Sequence, residues 1–464
     1  MSHVDLGLAI DNAVLVAVGY AVLYALGIVE LRLGSLVFVG LAYLVGWACI
    51  GVLLTLALLA GIDPGIPTFL VIAGAIIVCS GLYRARRPGS TFTPREHAPR
   101  SRRASLLAAL PAVLGATMLA IGSLAALSVA VKGQLYAGYL DSFDFWIPKA
   151  ETIYYAHGID PDVWATIRHP EYPPLVAVMD ALTFRLVGGF HPSVLPFQAT
   201  LLGIAFLMAV LALVDRFAPR WISLPSLALL ATTPWFWARL QASLTDQMLA
   251  YLIAAAAIAG VIWLYERSEA FLVLAFILLA AATLTKLEGG FMAGLLALVV
   301  ASAGIVLYRH AAAWALVLLA APAVALPWRL WLHHHGLPTT SPDYHATDLL
   351  NRGFLSERWG RLTGSFHALY EGLITAQLQT SVIIWISVAA LLILALRLPV
   401  IAGAVAAWFV LSLLGLTIVY WIGRLTLSWY LTTSLSRVGT TVIIVGGTLT
   451  PLFLGLALRP RRAR

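Results

Sequence analysis

The chain has two cysteines in 464 residues, Cys49 and Cys79, and both lie inside apolar runs. That excludes a disulfide framework of the kind that staples small secreted domains. Charge is scarce too: Asp, Glu, Lys and Arg make up 11% of the chain, against about 25% in a soluble domain. No polar segment is long enough for a large soluble domain. The alternating apolar–polar pattern of a transmembrane β-barrel is missing. There is no glycine loop to cradle a phosphate and no defensible Ser–His–Asp order. The N-terminal MSHVDLGLAIDN lacks the basic region of a cleaved signal peptide, so the first span is expected to stay.

What is present is made for lipid. Hydrophobic residues are 61% of the chain, and the mean hydropathy is +0.92. Apolar runs fall near 7–29, 35–60, 66–82, 105–131, 194–214, 222–238, 247–265, 270–284, 289–308, 311–332, 380–396, 399–421 and 438–458. At roughly 20 residues per span, this predicts an all-α polytopic membrane protein with about thirteen transmembrane helices.

Basic residues orient it. Segment 83–104 carries Arg84, Arg86, Arg87, Arg95, Arg100, Arg102 and Arg103 against Glu96, which places it in the cytoplasm. Counting outward puts Arg216, Arg220, Arg267, Arg309, Arg397 and the tail 459–464 on the same side. Loop 132–193, the turns at Asp246 and Lys286, and loop 333–379 then lie outside, with the N-terminus outside and the C-terminus inside. These basic loops absorb much of the net charge of +8, so nucleic acid is not expected as a partner. The expected division is an N-terminal three-helix membrane unit (1–82), a basic linker (83–104), a transmembrane unit (105–458) and a basic tail.

Against this background the stretch Tyr136–Pro174 is anomalous, because it gathers Asp141, Asp144, Lys149, Glu151, Asp160, Asp162, Arg168, His169 and Glu171. Charges near a bilayer are a functional hypothesis by default. Phe145–His157 and Glu171–Val187 read as two amphipathic interfacial helices, the second with Asp180 and Arg185 at its polar positions. Asp141 and Asp144 suit general-base chemistry, or equally the N-cap and first turn of a helix. Asp246 has the same two readings at the start of its span. Lys286 and Glu288 neutralise each other in a turn, or Lys286 binds phosphate. Arg239, Lys286, Arg329, Arg352, Arg358, Arg361, Arg424 and Arg437 fall on the outer face, where topology does not call for them; arginine there suits phosphate. Arg437 borders apolar sequence, where snorkelling is the bland alternative. His333–His335 lack metal-site spacing. Asp141, Asp246 and Glu171 leave a divalent-cation site open, though no metal ligands are assigned.

The arrangement resembles the GT-C superfamily of polyprenyl-phosphate-dependent glycosyltransferases, in particular the branch of protein O-mannosyltransferases and lipid A aminoarabinose transferases. The resemblance covers about 105–458 and rests on DSFDFWIPKA (141–150), HPEYPPL (169–175), TDQML (245–249) and TSLSR (433–437). It implies a GT-C-like fold with Asp141 as catalytic aspartate and Asp246 as a second acidic position, beside the secondary acids Asp144 and Glu171. It also implies a polyprenyl-phosphate sugar donor, an extracytoplasmic acceptor and a site at the outer face of a bacterial cytoplasmic membrane. Where aminoarabinose transferases carry a phosphate-contacting lysine before the proline pair, this chain has Tyr172. Donor-phosphate candidates are therefore Lys149, Lys286, Arg437 and Tyr172 itself. Ser142 follows Asp141, so the adjacent Asp-Glu of protein O-mannosyltransferases is absent. The rival reading is a transporter or flippase, which would place its charges nearer the bilayer midplane.

Overall fold

Long apolar helices account for most of the chain, as continuous hydrophobic runs require when every backbone N–H and C=O must be satisfied within the segment. The computed structural model describes residues 2–29, 36–86, 102–133, 141–308, 316–375 and 377–459. Most of the linker, residues 87–101, and the tail 460–464 lie outside the described residues, as do 134–140 of the first loop.

The N-terminal half comprises α1 (His3–Ala25), α2 (Leu36–Leu59), α3 (Ile66–Arg86), α4 (Arg102–Ala130), α5 (Ile147–Ala156), α6 (Pro161–Thr166), α7 (Leu175–Leu186) and α8 (Leu195–Val214). There follow α9 (Arg220–Ala231), α10 (Pro234–Gln241), α11 (Thr245–Glu266), α12 (Glu269–Thr283) and α13 (Leu287–Leu307). Beyond these come Leu326–His334, Trp359–Tyr370, Leu378–Ala395, Pro399–Ile422 and Ser436–Leu458. Among the described residues there is no strand.

Among the described residues ten helices are long and apolar enough to cross a membrane, against about thirteen expected. The expected spans 222–238, 270–284 and 311–332 are the difference. The first is broken into α9 and α10 at Pro234, and the third begins outside the described residues and passes through a 3-10 segment, Leu318–Ala325, with Pro322 inside it. The second, α12, has 15 residues and so extends about 22 Å, short of a hydrocarbon core of about 30 Å.

The core is built around α11, whose run of alanines lets α8, α12, α13 and Ser436–Leu458 approach closely and leaves it buried along nearly its whole length. The helices α1 and α2 also meet at small residues. A Cβ at Gly19 would collide with the Ala42 carbonyl, and one at Gly46 with that of Leu15.

Contacts sort the turns into two ends. At one, Arg216 pairs with Glu266 at 2.9 Å, Arg267 lies 4.0 Å from the Tyr308 ring, and the Arg459 guanidinium donates to the Arg216 carbonyl. At the other, His3 meets the Val187 carbonyl, Asp63 meets Arg185 and His157, and Asp246 meets Lys286.

The N-terminal unit is docked on the first loop. Arg185 Nη1 donates to Asp63 Oδ1 at 2.6 Å, and its Nη2 to the last carbonyls of α5, those of Ile153 and Tyr154. Asp160 caps α6, accepting from the N–H groups of Asp162 and Val163, so part of the charge in this loop serves local structure. The second expected loop helix, α7, is present and packs against other protein. Ten of the 12 residues of α7 are buried, chiefly against α5, α2 and α1, and the two that are only partly buried are Asp180 and Arg185.

Candidate functional site

The sequence-predicted residues Asp141, Asp246, Lys286 and Arg437 come from four separate stretches and form one chain of ion pairs. Arg437 Nη1 donates to Asp141 Oδ2 and lies 3.9 Å from Asp246 Oδ2. Lys286 Nζ donates to Asp246 Oδ1 at 2.8 Å and lies 3.5 Å from Glu288 Oε1. Each cation thus faces two carboxylates.

Local structure explains how each arrives there. Asp141 precedes a π-turn, Ser142–Trp146, and makes no capping bond, which leaves its carboxylate free for Arg437. The Ser142 hydroxyl donates to the Ala242 carbonyl and ties this turn to the α10–α11 connection. Asp246 is in the first turn of α11 but caps nothing. Lys286 reaches it because the α12–α13 turn is tight: a Cβ on Gly289 would strike the Ala282 carbonyl. The capping alternatives for Asp141 and Asp246 are therefore not adopted. Asp144 also does something other than cap, pairing with Arg168 at 2.8 Å. The self-neutralising reading of Lys286 and Glu288 holds in part, since the nearer partner of Lys286 is Asp246.

Exposure separates the members. The Asp141 side chain is 25% exposed, whereas Lys286 and Asp246 are 5% and 6% exposed. Glu288, at 23%, is exposed to nearly the same degree as Asp141. Burial works to lower the pKa of Lys286, but the carboxylates of Asp246 and Glu288 prevail and raise it, so its ammonium is held charged.

Tyr172 stands beside this chain. Its ring stacks on His169 at 4.8 Å and lies 5.4 Å from Lys286 Nζ and 5.5 Å from Lys149 Nζ. Burial, with Glu288 and other acids nearby, raises its pKa well above the ordinary tyrosine value, so the phenol stays protonated and can donate. Lys149 does not join the ion pairs. It is fully buried, donates to the carbonyls of His169 at 2.5 Å and Tyr172 at 3.4 Å, and sits among the rings of Phe145, Trp146, Trp164 and Tyr172. Burial depresses its pKa to about 7, with Glu171 opposing. Of the phosphate candidates it is the one whose ammonium is spent on holding a turn.

Glu171 is buried and accepts from His169 Nδ1 at 3.0 Å, while its Oε2 has no hydrogen-bond partner. Among the described residues no three His, Cys, Asp or Glu side chains are placed to hold a metal. Of the three acids weighed for a cation, Asp141 and Asp246 both face Arg437, and Glu171 turns to His169. His335 bonds the Trp331 carbonyl at 2.8 Å. Among the other outer arginines, Arg358 and Arg361 donate to the Gly423 and Tyr420 carbonyls at the end of helix Pro399–Ile422, where a cation complements the helix dipole. Arg424 pairs with Asp348, and Arg239 donates to Thr440. Sequence reasoning did not single out Tyr344, a largely buried phenol whose pKa is raised by burial and by Glu288 and Glu171.

Comparison with known protein families, with curated proteins and with solved structures returns no match.

Proposed function

We propose that the protein is an integral membrane glycosyltransferase that moves a sugar from a polyprenyl-phosphate donor to an extracytoplasmic acceptor, an envelope glycan, lipid or protein. The observation that carries this reading is the convergence of Asp141, Arg437, Asp246 and Lys286 at one end of an apolar helix bundle. A hydroxyl-activating carboxylate beside two fixed cations suits attack on an anomeric carbon bonded to phosphate.

In this proposal the donor phosphate takes the place of Asp141 on Arg437, with Lys286 and the Tyr172 hydroxyl as further donors. The freed Asp141 carboxylate accepts the proton of the acceptor hydroxyl as its oxygen bonds to the anomeric carbon. The bond from that carbon to the phosphate oxygen breaks, with inversion, and polyprenyl phosphate leaves with the bonding pair. Its growing negative charge is met by the arginine and lysine, which electrostatic catalysis requires. The site faces the outside of a bacterial cytoplasmic membrane, with the N-terminus outside and the C-terminus cytoplasmic.

The test is Asp141→Asn, assayed for sugar transfer from a lipid-linked donor in proteoliposomes. Transfer is expected to fall at least about 100-fold, the usual contribution of a general base, with insertion unchanged. Wild-type transfer by the variant would overturn the assignment of Asp141. Flux of the lipid-linked sugar without product from the wild type would favour a transporter or flippase instead.

A further inference from the structure

Two other acids take no part in the ion-pair chain. Asp11 of α1 and Asp180 of α7 line one small cavity, with Tyr43, Trp47, Thr183, Gln198 and Ser243 supplying its other polar groups. Asp11 is 1% exposed. Its Oδ2 accepts from Thr183 Oγ1 at 2.9 Å and from Gln198 Nε2 at 2.7 Å, while its Oδ1 is buried with no hydrogen-bond partner. Ser243 Oγ, on a residue 4% exposed, is likewise buried and unpartnered. Among the described residues no Lys, Arg or His lines the cavity.

Two carboxylates without a countercharge inside a helix bundle are costly, and the remedy is to take up positive charge. We propose that this cavity binds one small cation, an alkali-metal ion or a proton, between Asp11 Oδ1 and the Asp180 carboxylate, with Ser243 Oγ and the Tyr43 hydroxyl as further oxygen ligands. The four ligand groups named here are all oxygens, which suits a hard cation. Burial and the Asp11 charge push Asp180 up to about 7, which is the same shortage of positive charge seen from the acid's side.

The position gives the site a consequence. Asp11 and Tyr43 belong to the N-terminal unit and Asp180 to α7. Ser243, in left-handed conformation at φ 51°, belongs to the turn that leads into α11 and Asp246. The adjacent Ala242 carbonyl accepts from Ser142, next to Asp141. A cation held here fastens the first two spans to the turn that carries the ion-pair chain.

The test reads stability, and so stands independently of the transferase proposal. Purified full-length protein in detergent is unfolded thermally at fixed ionic strength in sodium, potassium or choline chloride, choline being too bulky for the cavity. If the cation is an alkali ion, the midpoint near pH 8.5 is expected to be higher in sodium or potassium than in choline by about 2–4 °C or more. If it is a proton, the midpoint in choline falls as pH rises from the ordinary carboxyl value of 3.8 to about 7, because the folded state binds the extra proton across that window. Asp180→Asn is expected to abolish whichever dependence is found, and Asp11→Asn serves where that variant does not accumulate. Either dependence, lost in the variant, supports the site and names its cation. A midpoint indifferent to both, or a dependence unchanged in the variants, overturns it.

Discussion

The two acidic regions of this protein are equally buried in part but differ in what faces them. Asp246 sits between Lys286 and Arg437, and Arg437 also serves Asp141. Asp11 and Asp180 share a cavity whose lining includes no cation. The first is a charge cluster balanced from within, and a ligand can enter it only by exchanging one partner for another. The second is out of balance and can add a partner outright. Burial alone therefore does not tell what a buried acid is for; its neighbours do.

The comparison can be broken most sharply at Lys286. Lys286→Ala removes the nearest cation from buried Asp246, leaving only more distant arginines, and is expected to destabilise the protein by about 3–5 kcal/mol. Unfolding in detergent would measure it, and adding Asp246→Asn should recover a substantial part if the loss is the orphaned charge. A loss that the second substitution does not touch would point to packing instead. At the other region Asp180→Asn carries the opposite sign in choline, where no alkali ion answers the charge: above about pH 7 it removes an uncompensated carboxylate and should raise the midpoint.

A smaller effect is expected at Lys149. Its pKa lies near 7 in the fold against 10.5 ordinarily, so across that window the unfolded chain binds the extra proton and stability rises with pH. Lys149→Met should flatten that rise. Contacts with Glu171, two carbonyls and four rings offset the burial and limit its size. The smallest effect belongs to Asp63, whose side chain is 44% exposed in its pairs with Arg185 and His157. Asp63→Asn should cost no more than about 1 kcal/mol, the range of an exposed ion pair. A larger loss would mean that the α2–α3 turn carries more of the docking than its exposure suggests.

Much of the site was legible because topology restricts what can meet. Once the basic loops separate the turns into two ends, Asp141, Asp246, Lys286 and Arg437 can only gather at one of them. Their pairing was not legible. Arg437 and Asp141 are 296 positions apart, and no local pattern links them. The capping alternatives for Asp141 and Asp246 were sound on spacing and lost to a cation supplied from elsewhere. In α7, Asp180 and Arg185 read as the polar positions of an amphipathic helix, and their partners were not legible. Those partners, Asp63 for Arg185 and Asp11 for Asp180, belong to the N-terminal unit. Nothing in the sequence of α1 marks Asp11 as the acid that meets Asp180.

What the sequence determines by itself follows from short-range rules. Run length against bilayer thickness sets the membrane-like helical architecture, and the basic residues sort its turns. The residues at a helix start set some of the short elements, as the capping of α6 by Asp160 shows. The tertiary structure alone decides which buried charges are answered and which are not. Charge balance depends on distances of a few ångströms between segments far apart in the chain, and packing sets those distances.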